Sequence, residues 1–337
     1  MVKKKRFSVI IPAYNEEKRI ANCLNAFKLA LQKNLSFEVL VVDDGSTDKT
    51  VEIASSFGFV KVLKASHKGA AAARNLGARK AQGEILVFTD ADCIPDSDWL
   101  SVIANQFEKE PGLVCMEGKT YTDKTGLFEH AVSNQSGNGF QSCNLAIKKD
   151  VFFKAKGFDE QYVYFREDSD LAFALLEKKF KIAFVPKMKV FHPKRKISER
   201  AFFRELFLVR NDILLFKKFP TLYNQFFGFV CKGNFKQSII TWFLALLFVA
   251  GMLILTYNGQ PESLLSAQGD NVDYSINFFP MTLFLVLLLV LFRFFVSMKG
   301  KTFSFSEGVR FLAITTLRDL LFPFFFVYYW FSTKKSF

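Results

Sequence analysis

The chain has 337 residues, 50% of them apolar with 43 phenylalanines, and a formal charge of +13. That apolar content exceeds the ordinary soluble balance of surface to core, and the charge calls for an anionic partner: nucleic acid, a membrane surface or a phosphorylated ligand. The five cysteines, Cys23, Cys93, Cys115, Cys143 and Cys231, are odd in number and lack C-x-x-C spacing. They support neither a disulfide framework nor a zinc site, and a reducing cytosolic setting fits them best.

The basic start Met1–Arg6 is followed by Phe7–Ile11, which is too short for a signal-peptide core and runs into Pro12, so no cleaved targeting segment is expected. From residue 7 to about 118 strand and helix patterns alternate. Strands are expected at Phe7–Ile11, Phe37–Val42, Val60–Leu63, Ile85–Phe88 and Leu113–Glu117, with helices at Glu16–Gln32, Asp48–Phe57, Ala70–Ala81 and Asp98–Glu108. Such alternation predicts an α/β domain with a mostly parallel sheet covered by helices on both faces. Its ligands would sit at the carboxyl ends of the strands.

Three polar clusters fall at those ends. Pro12–Glu17 follows the first strand, Asp43–Asp48 the second, and Thr89-Asp90-Ala91-Asp92-Cys93 the fourth. The last is a D-x-D pair, able to hold a divalent cation through hard oxygen ligands or to be a solvated turn. Ser46, Thr47 and Asp48 are expected to cap the next helix, with Gly45 making the tight turn. Tyr14 and Asp44 could hold a nucleotide's base and ribose, with a structural role for Tyr14 equally open. Arg74, near the helix that opens after Lys68-Gly69, is either a diphosphate contact or a solvated helix charge. No G-x-G-x-x-G or P-loop lysine motif is present, which disfavours dinucleotide binding and nucleotide hydrolysis.

Taken in order, Ser8–Glu17, Val41–Asp48, Ala73–Ala78 and Thr89–Asp92 resemble the motifs of family-2 glycosyltransferases of the GT-A fold. The resemblance runs over roughly residues 7 to 190. It implies that Pro12, Tyr14, Glu16, Asp44, Arg74, Asp90 and Asp92 form the nucleotide-sugar site. Asp44 would contact the base, Arg74 would lie near the nucleotide, and Asp90 and Asp92 would hold ribose and metal-bound diphosphate, Asp92 first as the direct metal ligand. The ion would be Mg²⁺ or Mn²⁺. In some relatives of this fold a histidine completes the metal shell; His192 is either that ligand or a boundary-loop residue with one backbone hydrogen bond.

The second half of this domain should supply the acceptor side, with Asn144 on a strand at Gln141–Ile147 and Glu167 at the first turn of a later helix. Glu167 and Asp168 sit where the helix dipole favours ionised carboxylates, and an ionised carboxylate can take the proton of a sugar hydroxyl. Acids that only cap the helix are the simpler alternative. The resembled glutamate–aspartate motif carries the base on its aspartate, so Asp168 is the expected catalytic residue. A further strand is expected at Ile182–Val185, ending before Pro186.

From residue 199 the pattern changes. Aromatic and aliphatic triplets alternate with Arg200, Arg204, Arg210, Lys217 and Lys218, as in basic amphipathic helices lying on an anionic membrane. Ile239–Tyr257 and Phe278–Ser297 are long enough to span a bilayer. The loop between them is acidic, and lysines and arginines flank the other side, which puts the catalytic domain in the cytoplasm. A last apolar stretch, Phe311–Phe331, carries Arg318-Asp319 near its middle, and so is expected to be interfacial or partly re-entrant unless that pair faces other helices.

The expected layout is therefore a catalytic domain at 1–198, amphipathic interface helices at 199–236 and a membrane region at 237–337. The expected activity is that of an inverting, integral-membrane glycosyltransferase of the plasma or inner membrane, moving a sugar from a nucleotide-diphosphate sugar to a hydroxyl of a lipid or lipid-linked glycan. A polyprenyl-phosphate acceptor is the enzymatic alternative, and a non-catalytic nucleotide-sugar-binding membrane module the alternative of another class. Nucleic acid is not an expected partner, since no motif for it accompanies the charge. The oligomeric state is not readable from the sequence.

Overall fold

The computed structural model of the chain describes residues 6–32, 35–162, 164–228, 239, 241–243, 246 and 304–333. Apart from those few positions between 239 and 246, the expected spans Ile239–Tyr257 and Phe278–Ser297 and the acidic loop between them lie outside the described residues.

Four strands, β1 (Phe7–Ala13), β2 (Phe37–Asp43), β3 (Val60–Lys64) and β4 (Ile85–Phe88), make a parallel half-sheet in the order β3-β2-β1-β4. Side chains alternate across a strand, and here both faces are apolar. Val9, Ile11, Val39, Val41 and Val87 pack on one face with helices α1 (Ile20–Asn25) and α5 (Trp99–Lys109). Ile10, Leu40, Val42, Leu86 and Phe88 pack on the other with α4 (Ala70–Lys80), α6 (Lys149–Lys154) and α7 (Glu167–Glu177). Pro12 is tolerated in the central β1 because β4 pairs only with Phe7–Ile10, so no ladder donor is missed on that side. Short α2 (Lys28–Gln32) and α3 (Thr50–Ser55) complete this half.

The sheet continues as β4-β8-β6-β9-β5, with β5 (Ile94–Pro95), β6 (Cys115–Tyr121), β8 (Leu145–Lys148) and β9 (Ile182–Phe191). Most pairings are parallel, as expected, but β8 runs antiparallel to both β4 and β6, so the sheet is mixed. β9 also differs from expectation. It does not stop before Pro186 but continues to Phe191, because a register shift at Gly118/Lys119 leaves Pro186 outside the ladder with β6. A separate ribbon pairs β7 (Glu129–His130) with β10 (Arg195–Lys196).

Beyond the sheet come α8 (Glu199–Lys218), α9 (Pro220–Phe227) and α10 (Phe305–Ser332). The seam between α8 and α10 is apolar, with Leu206, Val209, Ile213 and Phe322 buried in it. Helix α10 starts in a capping box between Ser304 and Glu307 and runs 28 residues, about 42 Å at 1.5 Å per residue. It is the one helix among the described residues long and apolar enough to cross a membrane. The helix is continuous through Arg318-Asp319, where Arg318 Nη2 lies 2.9 Å from the buried Asp319 Oδ1.

Candidate active site

The carboxyl ends of β1, β2 and β4 meet at one crevice, as the parallel half-sheet requires. After β4 the chain turns through Asp90–Cys93 into β5, which pairs antiparallel with β9 so that Ile94 faces Phe191. That register sets His192 beside the D-x-D segment. One donor atom each from Asp90, Asp92, Cys93 and His192 lies within 4.8 Å of the others, and His192 Nε2 is 3.8 Å from Asp92 Oδ2. His192 Nδ1 also lies 3.1 Å from the Pro193 carbonyl, so both sequence readings of this residue describe part of its surroundings.

Arg74, buried on α4, crosses from this cluster to the other side of the crevice. Its Nη2 is 2.7 Å from Asp90 Oδ1 and its Nη1 is 3.2 Å from Glu167 Oε1. Burial by itself would lower the guanidinium pKa; Asp90 and Glu167 outweigh it, and the group stays a fixed cation. Next to Glu167, Asp168 accepts from Ser169 N at 2.8 Å and from Ser142 N at 3.5 Å. The protein packed around Asp168, and then the charge of Glu167, push its pKa up to about 7 against the pull of Arg74. A carboxylate so placed titrates close to neutrality, where a general base works best.

The second cluster is more structural than its residue types suggest. Asp43 receives the backbone N–H groups of Gly45 and Ser46 at 3.3 Å, making the turn. Asp44 takes Lys68 N at 3.0 Å and Gly69 N at 2.7 Å, tying β2 to the start of α4. The expected capping is not seen: the N-cap of α3 is Lys49, with no side-chain bond, while Asp48 accepts from Thr50 N at 3.0 Å and Ser46 and Thr47 bond to Asn15 across the crevice rim. Tyr14 is 45% exposed at that rim, its ring centroid 4.6 Å from that of His67.

Residues 8–161 match the family described as Glycosyl transferase family 2. The chain carries a family-2 glycosyl transferase domain. Glycosyltransferase AglE of Haloferax volcanii is 44% identical over 98 residues, 28% of this chain and 32% of that protein. A dolichyl-phosphate beta-glucosyltransferase of Drosophila melanogaster is 40% identical over 119 residues, 31% of this chain and 36% of the relative. The chain thus spans about a third of each of these relatives. Among solved structures, S. aureus TarS 1–349 in complex with UDP is 21% identical with a TM-score of 0.48, covering 66% of this chain and 72% of that one.

The donor set, of which His192 lies beyond the matched residues 8–161, suits a hard divalent cation. Carboxylate oxygens and an imidazole nitrogen are the ligands Mg²⁺ or Mn²⁺ would use, and Asp90, Asp92 and His192 are the residues that would hold one. Cys93 adds nothing for such an ion, because burial raises its thiol pKa well above the ordinary value. Sequence reasoning missed one member of the site. Arg195, placed by the β7·β10 ribbon, donates from Nε to Asp92 Oδ2 at 2.6 Å and from Nη2 to Glu16 Oε1 at 2.6 Å. Its only sequence signal was its place three residues after His192 in a basic run.

Asn144 is elsewhere than expected. It is 1% exposed; its Oδ1 accepts from Trp99 Nε1 at 2.9 Å and its Nδ2 donates to the carbonyls of Lys119 at 3.1 Å and Met188 at 3.0 Å. Its amide is used up as an internal strut between α5, β6 and β9, which leaves nothing to present to an acceptor. The expected strand at Gln141–Ile147 likewise begins only at Leu145, after a 3₁₀ turn over Ser142–Asn144. That turn is what aims Ser142 N at Asp168.

Proposed function

We propose that the protein is an inverting, metal-dependent glycosyltransferase that moves a sugar from a nucleotide-diphosphate donor to a hydroxyl of a membrane-presented acceptor. The observation that supports this reading is the single guanidinium of Arg74, 2.7 Å from Asp90 of the D-x-D segment and 3.2 Å from Glu167, the neighbour of Asp168. Asp168 takes the proton of the acceptor hydroxyl as that oxygen attacks the anomeric carbon from the face opposite the leaving diphosphate. One displacement of this kind inverts the anomeric configuration. Mg²⁺ or Mn²⁺ at Asp90, Asp92 and His192 would supply neutralisation of the charge that builds on the diphosphate. In this scheme Tyr14 and Asp44 would meet the base, and Pro12 and Glu16 would complete the nucleotide side.

A base matched to neutral pH favours a hydroxyl acceptor over a polyprenyl phosphate, which is already anionic and needs none; the similarity to a dolichyl-phosphate beta-glucosyltransferase keeps that second reading in the test. The apolar α10 and the basic α8 support an acceptor delivered from a lipid surface, with residues 1–198 on the cytoplasmic side of a plasma or inner membrane. Purified full-length protein is to be incubated with UDP-, GDP- and dTDP-sugars, with and without Mn²⁺, and scored for release of the nucleoside diphosphate. Release that needs the ion, and that falls by two to four powers of ten, roughly, in Asp168→Asn with donor binding kept, is expected. Near-normal turnover in Asp168→Asn would remove the base from the scheme. Binding without any release would favour a non-catalytic module.

A further inference from the structure

Asp168 sits in the first turn of α7, and beside Arg74 on Glu167 and Ser142 N on Asp168 that turn is held by α8. Arg166, immediately before the Glu167-Asp168 pair, has a left-handed backbone with φ of 79°, a conformation rare for residues with a side chain. Something must hold it there. Its Nε lies 2.8 Å from Asp212 Oδ1 on α8, with the two side chains only 16% and 11% exposed. Its guanidinium is stacked between Phe165, 4.3 Å from the ring centroid, and Phe227 of α9, 4.0 Å away. The hydroxyl of Tyr223 donates to the same Asp212 oxygen at 2.8 Å, and Asn211 Nδ2 donates to the Phe165 carbonyl at 2.9 Å.

The same helix takes hold again beyond the base. Lys218, at the last turn of α8, donates to Asp170 Oδ1 at 2.8 Å and Oδ2 at 2.9 Å, and Tyr162 also donates to Asp170 at 3.0 Å. Asp170 is two positions from Asp168, about 200° around a helix of 3.6 residues per turn, whereas Arg166 is the residue from which the helix starts. The Lys218 grip therefore falls on the side of α7 turned away from Asp168, and the Arg166 grip fixes the turn just before it.

We propose that Arg166 and Asp212 are positioning residues, a latch by which the α8–α9 arm sets the Asp168 carboxylate in register with the donor site. Neither touches the reacting atoms. The arm lies outside residues 8–161, so a part of the chain beyond the recognised domain completes the active site. Since α8 is packed along α10, the latch also ties the base to the apolar helix. The proposal rests on the reading of Asp168 as the base.

The test uses the full chain in detergent, with Asp212→Asn, Arg166→Gln, their double variant, Arg166→Lys, and Arg310→Ala as a control at the exposed Arg310–Glu199 pair. With the sugar nucleotide found by the panel, each loss-of-charge variant is expected to lower kcat by about tenfold or more while donor KM stays within about twofold. The double variant should be no worse than the poorer single, as for two ends of one contact. Arg166→Lys keeps the charge but not the guanidinium plane between the two rings, so its kcat should fall between those of wild type and Arg166→Gln, and Arg310→Ala should keep all of the activity. Hydrogen exchange over residues 164–171 should quicken in Asp212→Asn and stay unchanged over α5. Wild-type kcat in both single variants, or unchanged exchange at 164–171, overturns the latch. Should the wild type release no diphosphate from any sugar nucleotide, the proposed function fails, and the exchange measurement alone decides for or against the latch as the anchor of this turn.

Discussion

Asp168 concentrates the site's chemistry in one titration. Its pKa is pushed up to about 7, so the carboxylate accumulates as pH rises through that value, and with Asp168 as the proposed base kcat/KM should climb along an acidic limb centred near pH 7. The stability consequence has the opposite sense. A carboxyl whose folded pKa exceeds its unfolded value contributes stability below the unfolded pKa and loses it as pH rises through the folded one. Asp168→Asn should therefore melt higher than wild type at pH 8, and the difference should vanish at pH 4; melting curves at the two pH values check it. Arg195 gives a second residue-scale expectation. Its guanidinium occupies Asp92 Oδ2, which His192 also approaches, so Arg195→Ala should bind Mn²⁺ several-fold more tightly, read by calorimetry. Weaker Mn²⁺ binding would mean that Arg195 organises the acids and does not compete for them.

At the scale of elements, close approach decides what the sequence pattern cannot express. Gly118 lies at the register shift of β6 against β9, and a Cβ there would come within 2.1 Å of the Met188 carbonyl and 2.5 Å of Asn144 Nδ2. Backbone cannot step aside as a side chain can, so Gly118→Ala should lose more stability than Gly77→Ala, where the clash is with the Ile10 and Val42 methyls. For Gly77→Ala about 1–3 kcal/mol is expected from overpacking α4 on the sheet, measured by denaturant unfolding. The strands of the parallel half were legible within a residue or two, because continuous apolar runs bounded by turn residues admit little else. β9 was cut short at Pro186 because proline normally ends a ladder, and only a neighbouring strand with a bulge lets the chain continue past it. Asn144 was misjudged for a similar reason: its type fits either acceptor contact or internal strut, and its three partners come from far along the chain.

Across the whole molecule, the family-2 glycosyl transferase domain and the C-terminal helices meet along α8. Phe322 is 2% exposed in the α8–α10 seam, and Phe322→Ala should cost about 3–5 kcal/mol of the stability with which α10 docks. On the outer side of α10, Phe324, Val327, Tyr328 and Phe331 are exposed, each by more than half. Arg200 and Arg204 on α8 are exposed as well, so the full chain should float with vesicles holding phosphatidylglycerol, and high salt should loosen this less than it would a purely electrostatic attachment. Recovery of all the protein in the soluble fraction would count against a lipid-delivered acceptor.

Residue types and their spacing alone determined the parallel half-sheet, the acid clusters at its carboxyl edge, the Glu167-Asp168 helix start and the apolar C-terminal stretch. Each is a local pattern: alternation, capping and run length are written in neighbouring residues. Tertiary structure decided the rest, namely the antiparallel β8, the arrival of His192 beside the D-x-D segment, Arg195 on Asp92, and the Arg74 and Asp212 contacts that aim both walls of the crevice. Those are pairings across tens to more than a hundred residues, set by strand register and packing.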